Sequence, residues 1–220
     1  MHQQKGKPVL LVTGASSGIG KATARLCPGE GFRVFGTSRQ ERPHENGVEM
    51  LVLDVRSGES VRSCVTQMLT RAGRVDVLIN NSGTMHIGVA EETTMQYARA
   101  VFETNFFGVV RVTNAVLPHR RDHSRGRIIN IGSLTTWVGE LGEAFYSASK
   151  SALARYTEAL RHEVWSLGIY VSSSNPALSG PTLFEQQLRL KRPSRTMTAC
   201  AERPTERYRI VSVKETIRVR

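Results

Sequence analysis

The sequence is poor in cysteine and in long apolar runs, and each shortage excludes a class of protein. Its 220 residues contain three cysteines, Cys27, Cys64 and Cys200, which are an odd and widely spaced set. Such a set argues against a disulfide framework or a zinc cluster and favours reduced thiols inside a cell. No apolar run approaches the roughly 18 to 20 residues that cross a bilayer, and the first residues lack the apolar core of a signal peptide. We therefore expect a cytoplasmic protein with no membrane span and no metal site.

Acidic residues are also scarce, with 19 Asp and Glu against 30 Lys and Arg and a formal net charge of +11. The excess is uneven, because residues 184–220 contain ten Lys or Arg but only four Asp or Glu. The rest of the chain is mildly basic, so nucleic-acid binding would depend on this tail alone. We expect no nucleic-acid partner and keep a basic-tail nucleic-acid binder as a minor alternative.

The order of apolar segments indicates an α/β fold. Up to about residue 173, apolar runs of four to six residues alternate with longer stretches of helical spacing, which is typical of βαβ units. Strands are predicted at 9–13, 33–38, 50–54, 75–80, 126–131 and 169–173, and helices at 19–26, 59–72, 95–101, 106–117 and 147–167. We predict one Rossmann-type doubly wound parallel sheet with three α/β/α layers in residues 1–183, followed by an atypical basic tail in residues 184–220.

A glycine-rich turn follows the first predicted strand. After Thr13 the glycines have the spacing G-x-x-x-G-x-G, and a helical pattern comes next. Glycine permits a tight turn and close approach of the backbone to a pyrophosphate, while the helix N-terminus offers unpaired N–H groups. A turn without a ligand is the alternative. The residues predicted to bind phosphate are Gly14, Ser16, Ser17, Gly18, Ile19 and Gly20.

The end of the second predicted strand indicates which dinucleotide is bound. The chain there reads Ser38-Arg39 and has no carboxylate, whereas NAD(H) sites place an acidic residue at this point for the ribose 2′-hydroxyl. Arg39 can bind a phosphate through a bidentate contact, which favours NADP(H) over NAD(H). A solvated surface arginine is the alternative. At the end of the third strand, Asp54, followed by Val55, can accept from an adenine amino group or cap a turn.

A tyrosine and a lysine are spaced for acid–base chemistry. Tyr146 and Lys150 are four residues apart on a predicted helix, so they share one face about one turn apart. A neighbouring cation favours the phenolate and brings tyrosine closer to the range of a general acid or base. Ser133 ends the fifth strand and Asn105 opens a helix after the fourth. In a doubly wound sheet, these strand ends converge on the crevice that holds the cofactor.

In order and spacing, these motifs resemble those of the short-chain dehydrogenase/reductase family. The matching residues are Thr13, Gly14, Gly18, Ile19, Gly20, Asn80, Asn81, Ser82, Gly83, Asn105, Ser133, Tyr146 and Lys150. The resemblance implies hydride transfer between a nicotinamide and the carbon of an alcohol or ketone. It implies that Tyr146 is the general acid or base and that Lys150 holds the ribose hydroxyls and lowers the tyrosine pKa. Ser133 would orient the substrate oxygen, and Asn105 would anchor a water in a proton relay.

The same resemblance implies further contacts and a homodimer or homotetramer. Cofactor contacts are expected from Asn80, Asn81, Ser82, Gly83, Tyr146, Lys150, Pro176 and Thr182, with Ser82 standing where the family usually has alanine. The implied substrate is a small, apolar alcohol or ketone. Trp137, Leu141 and Phe145 are candidates for its pocket, with simple core packing as the alternative. His86 lies close by in sequence and is expected not to touch the substrate.

The resemblance ends near residue 183. Ala177 replaces the glycine that usually follows Pro176, and the basic tail leaves limited room for the substrate-binding segment that family members usually have. Two functions therefore remain open. One is an NADP(H)-dependent oxidoreductase, and the other is a catalytically impaired NADP-binding protein that lacks a complete substrate lid.

Overall fold

A six-stranded parallel sheet forms the centre of the computed structural model, which describes residues 6–121 and 126–176. The strands are β1 (Val9–Val12), β2 (Arg33–Ser38), β3 (Val48–Val52), β4 (Val77–Asn80), β5 (Gly126–Ile131) and β6 (Ile169–Ser174). They lie in the order β3-β2-β1-β4-β5-β6, and every neighbouring pair is parallel. The winding reverses between β1 and β4, so a crevice opens at the carboxyl ends of these strands. The predicted Rossmann-type fold is confirmed.

Helices connect the strands at nearly the predicted places. They are α1 (Gly18–Leu26), α2 (Gly58–Ala72), α3 (Met95–Phe102), α4 (Gly108–Arg121) and α5 (Ala144–Val164). Local signals explain the ends of α2, because the Ser57 hydroxyl accepts from the backbone N–H of Ser60 and Gly73 ends the helix with φ +70°. Within residues 6–121 and 126–176, no helix is both long enough and apolar enough to cross a bilayer.

The junction of α3 and α4 differs from the sequence prediction. Two separate helices were expected at 95–101 and 106–117, but a π-helical segment, Glu103–Phe107, joins them without a loop. A π segment inserts an extra residue into the turn, and a search for 3.6-residue periodicity reads that phase shift as a break. The segment also brings the backbone of Gly108 against Val55, since a Cβ at Gly108 would lie 2.7 Å from Val55 Cγ2.

The third strand begins two residues earlier than predicted. Asn46 and Gly47 have φ of +54° and +74°, and they form a tight turn between Glu45 and Val48, whose backbones exchange hydrogen bonds of 3.3 and 2.9 Å. The turn aligns Val48 with Val34 of β2, so pairing starts there rather than at Met50.

Each face of the sheet has its own apolar core. Successive side chains of β1 point alternately into the two cores, so Leu11 lies in one core and Leu10 and Val12 lie in the other. Helices α2, α4 and α5 cover the first face, and α1 packs on the second. Each fully buried Leu, Ile, Val or Met side chain contributes about 1.5 to 3 kcal/mol. The two cores thus hold the carboxyl ends of the strands in place for the site.

Two of the three cysteines are buried free thiols. Burial raises the pKa of Cys27 and of Cys64 to about 12, and Glu30 adds to the rise at Cys27. Both thiols therefore stay protonated and unreactive at neutral pH. Cys200 lies outside the described residues.

Candidate active site

The glycine turn between β1 and α1 exposes backbone N–H groups. Gly14 and Gly18 have φ of +67° and +53°, a region that favours glycine. The turn is held to β2, because the Ala15 N–H donates to the Thr37 carbonyl at 2.7 Å. Ser17 precedes α1 but makes no side-chain cap. The first N–H groups of α1 are therefore open to an anion, as a dinucleotide phosphate requires.

Asn81, after β4, ties its own loop to the glycine turn. Its Nδ2 donates to the carbonyls of Thr13 and Gly14 at 2.9 and 3.1 Å, and the Thr13 hydroxyl accepts from the N–H groups of Asn81 and Ser82, both at 2.9 Å. The contact is close enough to require Gly20, because a Cβ there would lie 2.3 Å from Asn81 Nδ2. Asn81 thus shapes the floor of the crevice.

Asn80 has a different position from the one expected of a cofactor contact. Its side chain is buried, and its Nδ2 donates to Thr113 Oγ1 at 3.1 Å and to Asn130 Oδ1 at 2.8 Å. Thr113 is on α4 and Asn130 is on β5, so the Asn80 amide links the sheet to the helix layer. This position corrects the expectation that Asn80 contacts the cofactor. Its cause is the alternation of a strand, in which successive side chains point to opposite faces of the sheet.

A cleft of about 940 Å³ lies along the glycine turn and the ends of β2, β3 and β4. Ten predicted cofactor residues line it: Gly14, Ser16, Ser17, Ser38, Arg39, Asp54, Val55, Asn81, Ser82 and Gly83. Gly18, Ile19, Gly20 and Pro176 do not line it, and Thr182 lies outside the described residues. The lining also contains Gln40, Arg42, Arg56, Thr84 and Tyr97, which the sequence analysis missed. Arg42 could have been predicted from the sequence as a cleft residue, because it lies close to the end of β2.

The end of the cleft formed by β2 and β3 is basic. Arg39 and Arg42 pair with no carboxylate within residues 6–121 and 126–176. Asp54, expected to accept from adenine, is instead bonded through both oxygens by Arg56, at 2.8 to 3.3 Å. Hydrogen bonding by Arg56 lowers the pKa of Asp54, and its charge and that of Arg39 contribute. Asp54 therefore fixes Arg56 at the cleft.

Three of the four predicted catalytic side chains, those of Ser133, Tyr146 and Lys150, meet beyond this cleft, where β5 ends beside α5. Ser133 is buried, and its Oγ lies 3.0 Å from Thr135 Oγ1. Lys150 is also buried; its Nζ donates to the Ile131 carbonyl at 2.7 Å and lies 5.8 Å from the centroid of the Tyr146 ring. None of the three lines the 940 Å³ cleft. The structure thus places these three side chains together, in a region separate from the residues that line the cleft.

The titration of this group is governed by burial. Burial raises the pKa of Tyr146; a hydrogen bond with Ser133 opposes the rise and the charge of Glu143 adds to it. Burial also lowers the pKa of Lys150 to about 8. Lys150 is not among the causes of the Tyr146 shift, so the expectation that it lowers the tyrosine pKa stays a prediction. A phenol that stays protonated at neutral pH is suited to donate a proton.

Asn105 lies in the π segment and connects the loop after β4 to helix α5. It is 1% exposed; its Nδ2 donates to the Thr84 carbonyl at 2.9 Å and to Ser149 Oγ at 3.1 Å, and its Oδ1 accepts from the Thr84 N–H at 2.8 Å. Ser149 in turn donates to the Tyr146 carbonyl at 2.7 Å. The side chain of Asn105 thus holds the loop after β4 against the turn of α5 that carries Tyr146.

The expected substrate-side residues lie around two loops that touch each other. Trp137 is 45% exposed and Leu141 is 98% exposed, so neither is a core residue, whereas Phe145 is partly buried. The Gly88 N–H donates to the Gly142 carbonyl at 2.8 Å, which joins these loops. His86 lies in the first of the two and stacks on Tyr97 with 5.6 Å between ring centroids. Both rings line the cleft.

Comparison with known proteins agrees with this geometry. The family model for short chain dehydrogenases matches residues 8–192, and the chain belongs to that family. It is 45% identical over 168 residues to a 3-ketodihydrosphingosine reductase of Bacteroides thetaiotaomicron, covering 76% of this chain and 62% of that protein. The chain thus spans less than two thirds of that relative.

Solved structures show the same fold. A short-chain dehydrogenase from Streptomyces avermitilis superposes with a TM-score of 0.74 at 39% identity, over 77% of this chain and 65% of that one. A 3-ketoacyl-(acyl-carrier-protein) reductase from Brucella melitensis, in complex with NADH, gives a TM-score of 0.74 at 27% identity, over 77% of this chain and 75% of that one.

Proposed function

We propose that the chain is an NADP(H)-dependent oxidoreductase that interconverts a ketone and an alcohol. The observation that carries the proposal is the grouping of Ser133, Tyr146 and Lys150 at the carboxyl end of the sheet, beside a glycine turn with open N–H groups. The names of the relatives, which are reductases of keto compounds, support the same reaction class.

The chain's own residues fit a dinucleotide. The glycine turn and the N-terminus of α1 would hold the pyrophosphate, and the cleft along β2 and β3 would hold the adenosine. When bound, the nicotinamide supplies or accepts the hydride. Lys150 would hold the ribose hydroxyls. To do so, its ammonium group would replace part of its contact with the Ile131 carbonyl by hydrogen bonds to these hydroxyls.

The proton is handled by Tyr146. Its raised pKa keeps the phenol protonated at neutral pH, so in the reducing direction it donates a proton to the carbonyl oxygen. Ser133, which interacts with the phenol, would orient that oxygen by a second hydrogen bond. Asn105 keeps Tyr146 in place through Ser149 and is a positioning residue in this scheme.

NADP(H) is favoured over NAD(H) because the segment after β2 contributes two arginines and no carboxylate to the lining of the cleft. Arg39 and Arg42 both line the cleft, and Asp54, the one carboxylate among the described residues that line it, is paired with Arg56. A 2′-phosphate would meet the guanidinium groups of Arg39 and Arg42 there, whereas a 2′-hydroxyl would find no carboxylate acceptor from that segment among the described residues that line the cleft.

Replacing Arg39 tests the cofactor preference. Arg39→Ala should weaken NADPH binding about 10- to 100-fold, the value of a charged hydrogen-bonded contact, and change NADH binding little. Arg25→Ala is the matched control, because Arg25 is exposed, pairs with Glu45 and does not line the cleft. Fluorescence titration with both nucleotides measures the effect. Equal losses for NADPH and NADH would contradict the assignment.

Replacing Tyr146 tests the reaction. Tyr146→Phe keeps the ring and removes the hydroxyl, so kcat should fall by about 100- to 10 000-fold while the NADPH dissociation constant changes little. Ketone-dependent oxidation of NADPH provides the assay. If the wild-type chain binds NADPH but oxidises it with no ketone in a broad panel, the alternative of a catalytically impaired nucleotide-binding protein replaces this proposal.

A further inference from the structure

Asp54 and Arg56 form an ion pair in the lining of the cleft, and this pair occupies the carboxylate. Arg56 Nε and Nη2 donate to the two carboxylate oxygens at 2.8 to 3.3 Å, and the Arg56 backbone N–H donates to Oδ1 at 3.0 Å. An ionised carboxylate has about four acceptor positions on its two oxygens. The four contacts from Arg56 therefore leave Asp54 no acceptor position for a donor from a ligand.

The turn between β3 and α2 brings the two charged groups together. The Asp54 N–H donates to Ser60 Oγ at 2.9 Å, and the Asp54 carbonyl accepts from the Ser57 N–H at 3.1 Å. These bonds fix residues 54–57 in a turn, in which an aspartate side chain accepts from the N–H two residues on. The hydrogen bond and the charge of Asp54 raise the pKa of Arg56. The pair is therefore a consequence of the local backbone and needs no ligand to form.

The neighbouring part of the cleft is suited to the face of a base. Leu53 and Val55, on either side of Asp54, line the cleft, and so does Val101 of α3. A planar base buries its faces against such apolar side chains and presents its polar edge to hydrogen-bonding groups. Beside these apolar residues, the lining contains the guanidinium group of Arg56 and a carboxylate whose acceptor positions are occupied.

We propose that Arg56 is a specificity-determining residue that withdraws Asp54 from recognition of the cofactor's base. The site then binds a dinucleotide phosphate through its phosphates and the faces of its base, and it does not select the 6-amino group of adenine. This proposal rests on the proposed function, because it needs the adenosine half of the cofactor to lie in the cleft.

Fluorescence titration of the full chain with two reduced dinucleotide phosphates tests the proposal. One is NADPH, and the other has purine in place of adenine, so the two share the fluorescent nicotinamide and differ only in the 6-amino group. The wild-type chain should bind NADPH no more than about threefold more tightly than the purine analogue. Arg56→Ala leaves the carboxylate open to the amino group, so this variant should prefer NADPH at least about tenfold, as expected of a hydrogen bond to a charged group.

Two further variants show whether a change in preference comes from this pair. Arg62→Ala is the matched control, because Arg62 is an exposed arginine of α2 that does not line the cleft, and it should leave the preference as in wild type. When Arg56→Ala is combined with Asp54→Ala, the preference for NADPH should return to within about threefold, because the carboxylate has been removed. The ratio of the two dissociation constants is compared, since loss of a cation at the cleft weakens both dinucleotides alike.

The outcomes separate this inference from the function on which it rests. A wild-type preference for NADPH of more than about threefold, or an Arg56→Ala preference no greater than that of wild type, overturns the role of Arg56 and leaves the NADP(H) assignment intact. Binding of neither dinucleotide by the folded wild-type chain overturns the proposed function and this inference with it. The wild-type comparison needs no substitution, so it decides even where a variant does not fold.

Discussion

Removing the side chain of Asn105 should destabilise the whole domain, because that side chain connects elements far apart in the chain. Asn105→Ala removes three hydrogen bonds at 2.8 to 3.1 Å, two part-buried bonds with the backbone of Thr84 and one buried bond with Ser149 Oγ. Each such bond contributes about 1 kcal/mol net. We expect a loss of about 3 kcal/mol in the free energy of unfolding, which is about 6 to 12 °C in Tm for a chain of this size.

Urea unfolding of the full chain, without nucleotide, measures this loss. Asn114→Ala is the control, because Asn114 is exposed on α4 and its replacement should change stability by less than about 0.5 kcal/mol. Ser149→Ala should cost about 1 to 2 kcal/mol, and the double variant should cost less than the sum, since the two residues share one bond. An Asn105→Ala loss no larger than that of Asn114→Ala would refute the reasoning.

Two further predictions concern the glycine turn and the buried lysine. Gly20→Ala should weaken NADPH binding at least about tenfold, because the new Cβ would lie 2.3 Å from both Asn81 Nδ2 and the Gly14 carbonyl oxygen. Gly29→Ala is the control and should bind NADPH normally, because a Cβ at Gly29 has no atom within 4 Å. Equal titration curves for the two variants would contradict the close approach at Gly20. Burial lowers the pKa of Lys150 from 10.5 to about 8. Between pH 8 and pH 10.5 the unfolded chain therefore binds a proton at this lysine that the folded chain does not. Below pH 8 the buried ammonium lowers the free energy of unfolding by about 3 kcal/mol, and this loss disappears as the pH rises. Unfolding of wild type and Lys150→Met at pH 7 and pH 9.5 should therefore show the variant's relative stability falling with pH, and a difference that does not depend on pH would argue against burial of the charged amine.

Most of the fold was predictable because its signals are local. Apolar runs of β1, β2 and β5 read directly as buried parallel strands, and the glycine spacing after β1 indicated a turn whose φ values are indeed positive. Residues 46 and 47 form another turn with positive φ, and this turn determines the register in which β3 pairs with β2. The start of β3 was not predicted correctly, because pairing between strands is not encoded in either segment alone. The π segment was missed because it interrupts the periodicity on which helix prediction depends.

The sequence by itself determined which chemical groups are present and which share a helix face, as with Tyr146 and Lys150, because backbone geometry sets spacing over one or two turns. Only the tertiary structure decided what surrounds those groups. Asn105 meets a serine 44 residues away, and Asn81 donates to the carbonyls of Thr13 and Gly14, which are 68 and 67 residues away. The direction of the Tyr146 pKa shift also depended on burial, which the spacing of Tyr146 and Lys150 does not encode. Electrostatics and hydrogen bonding act through space, so they follow from packing and not from the order of residues.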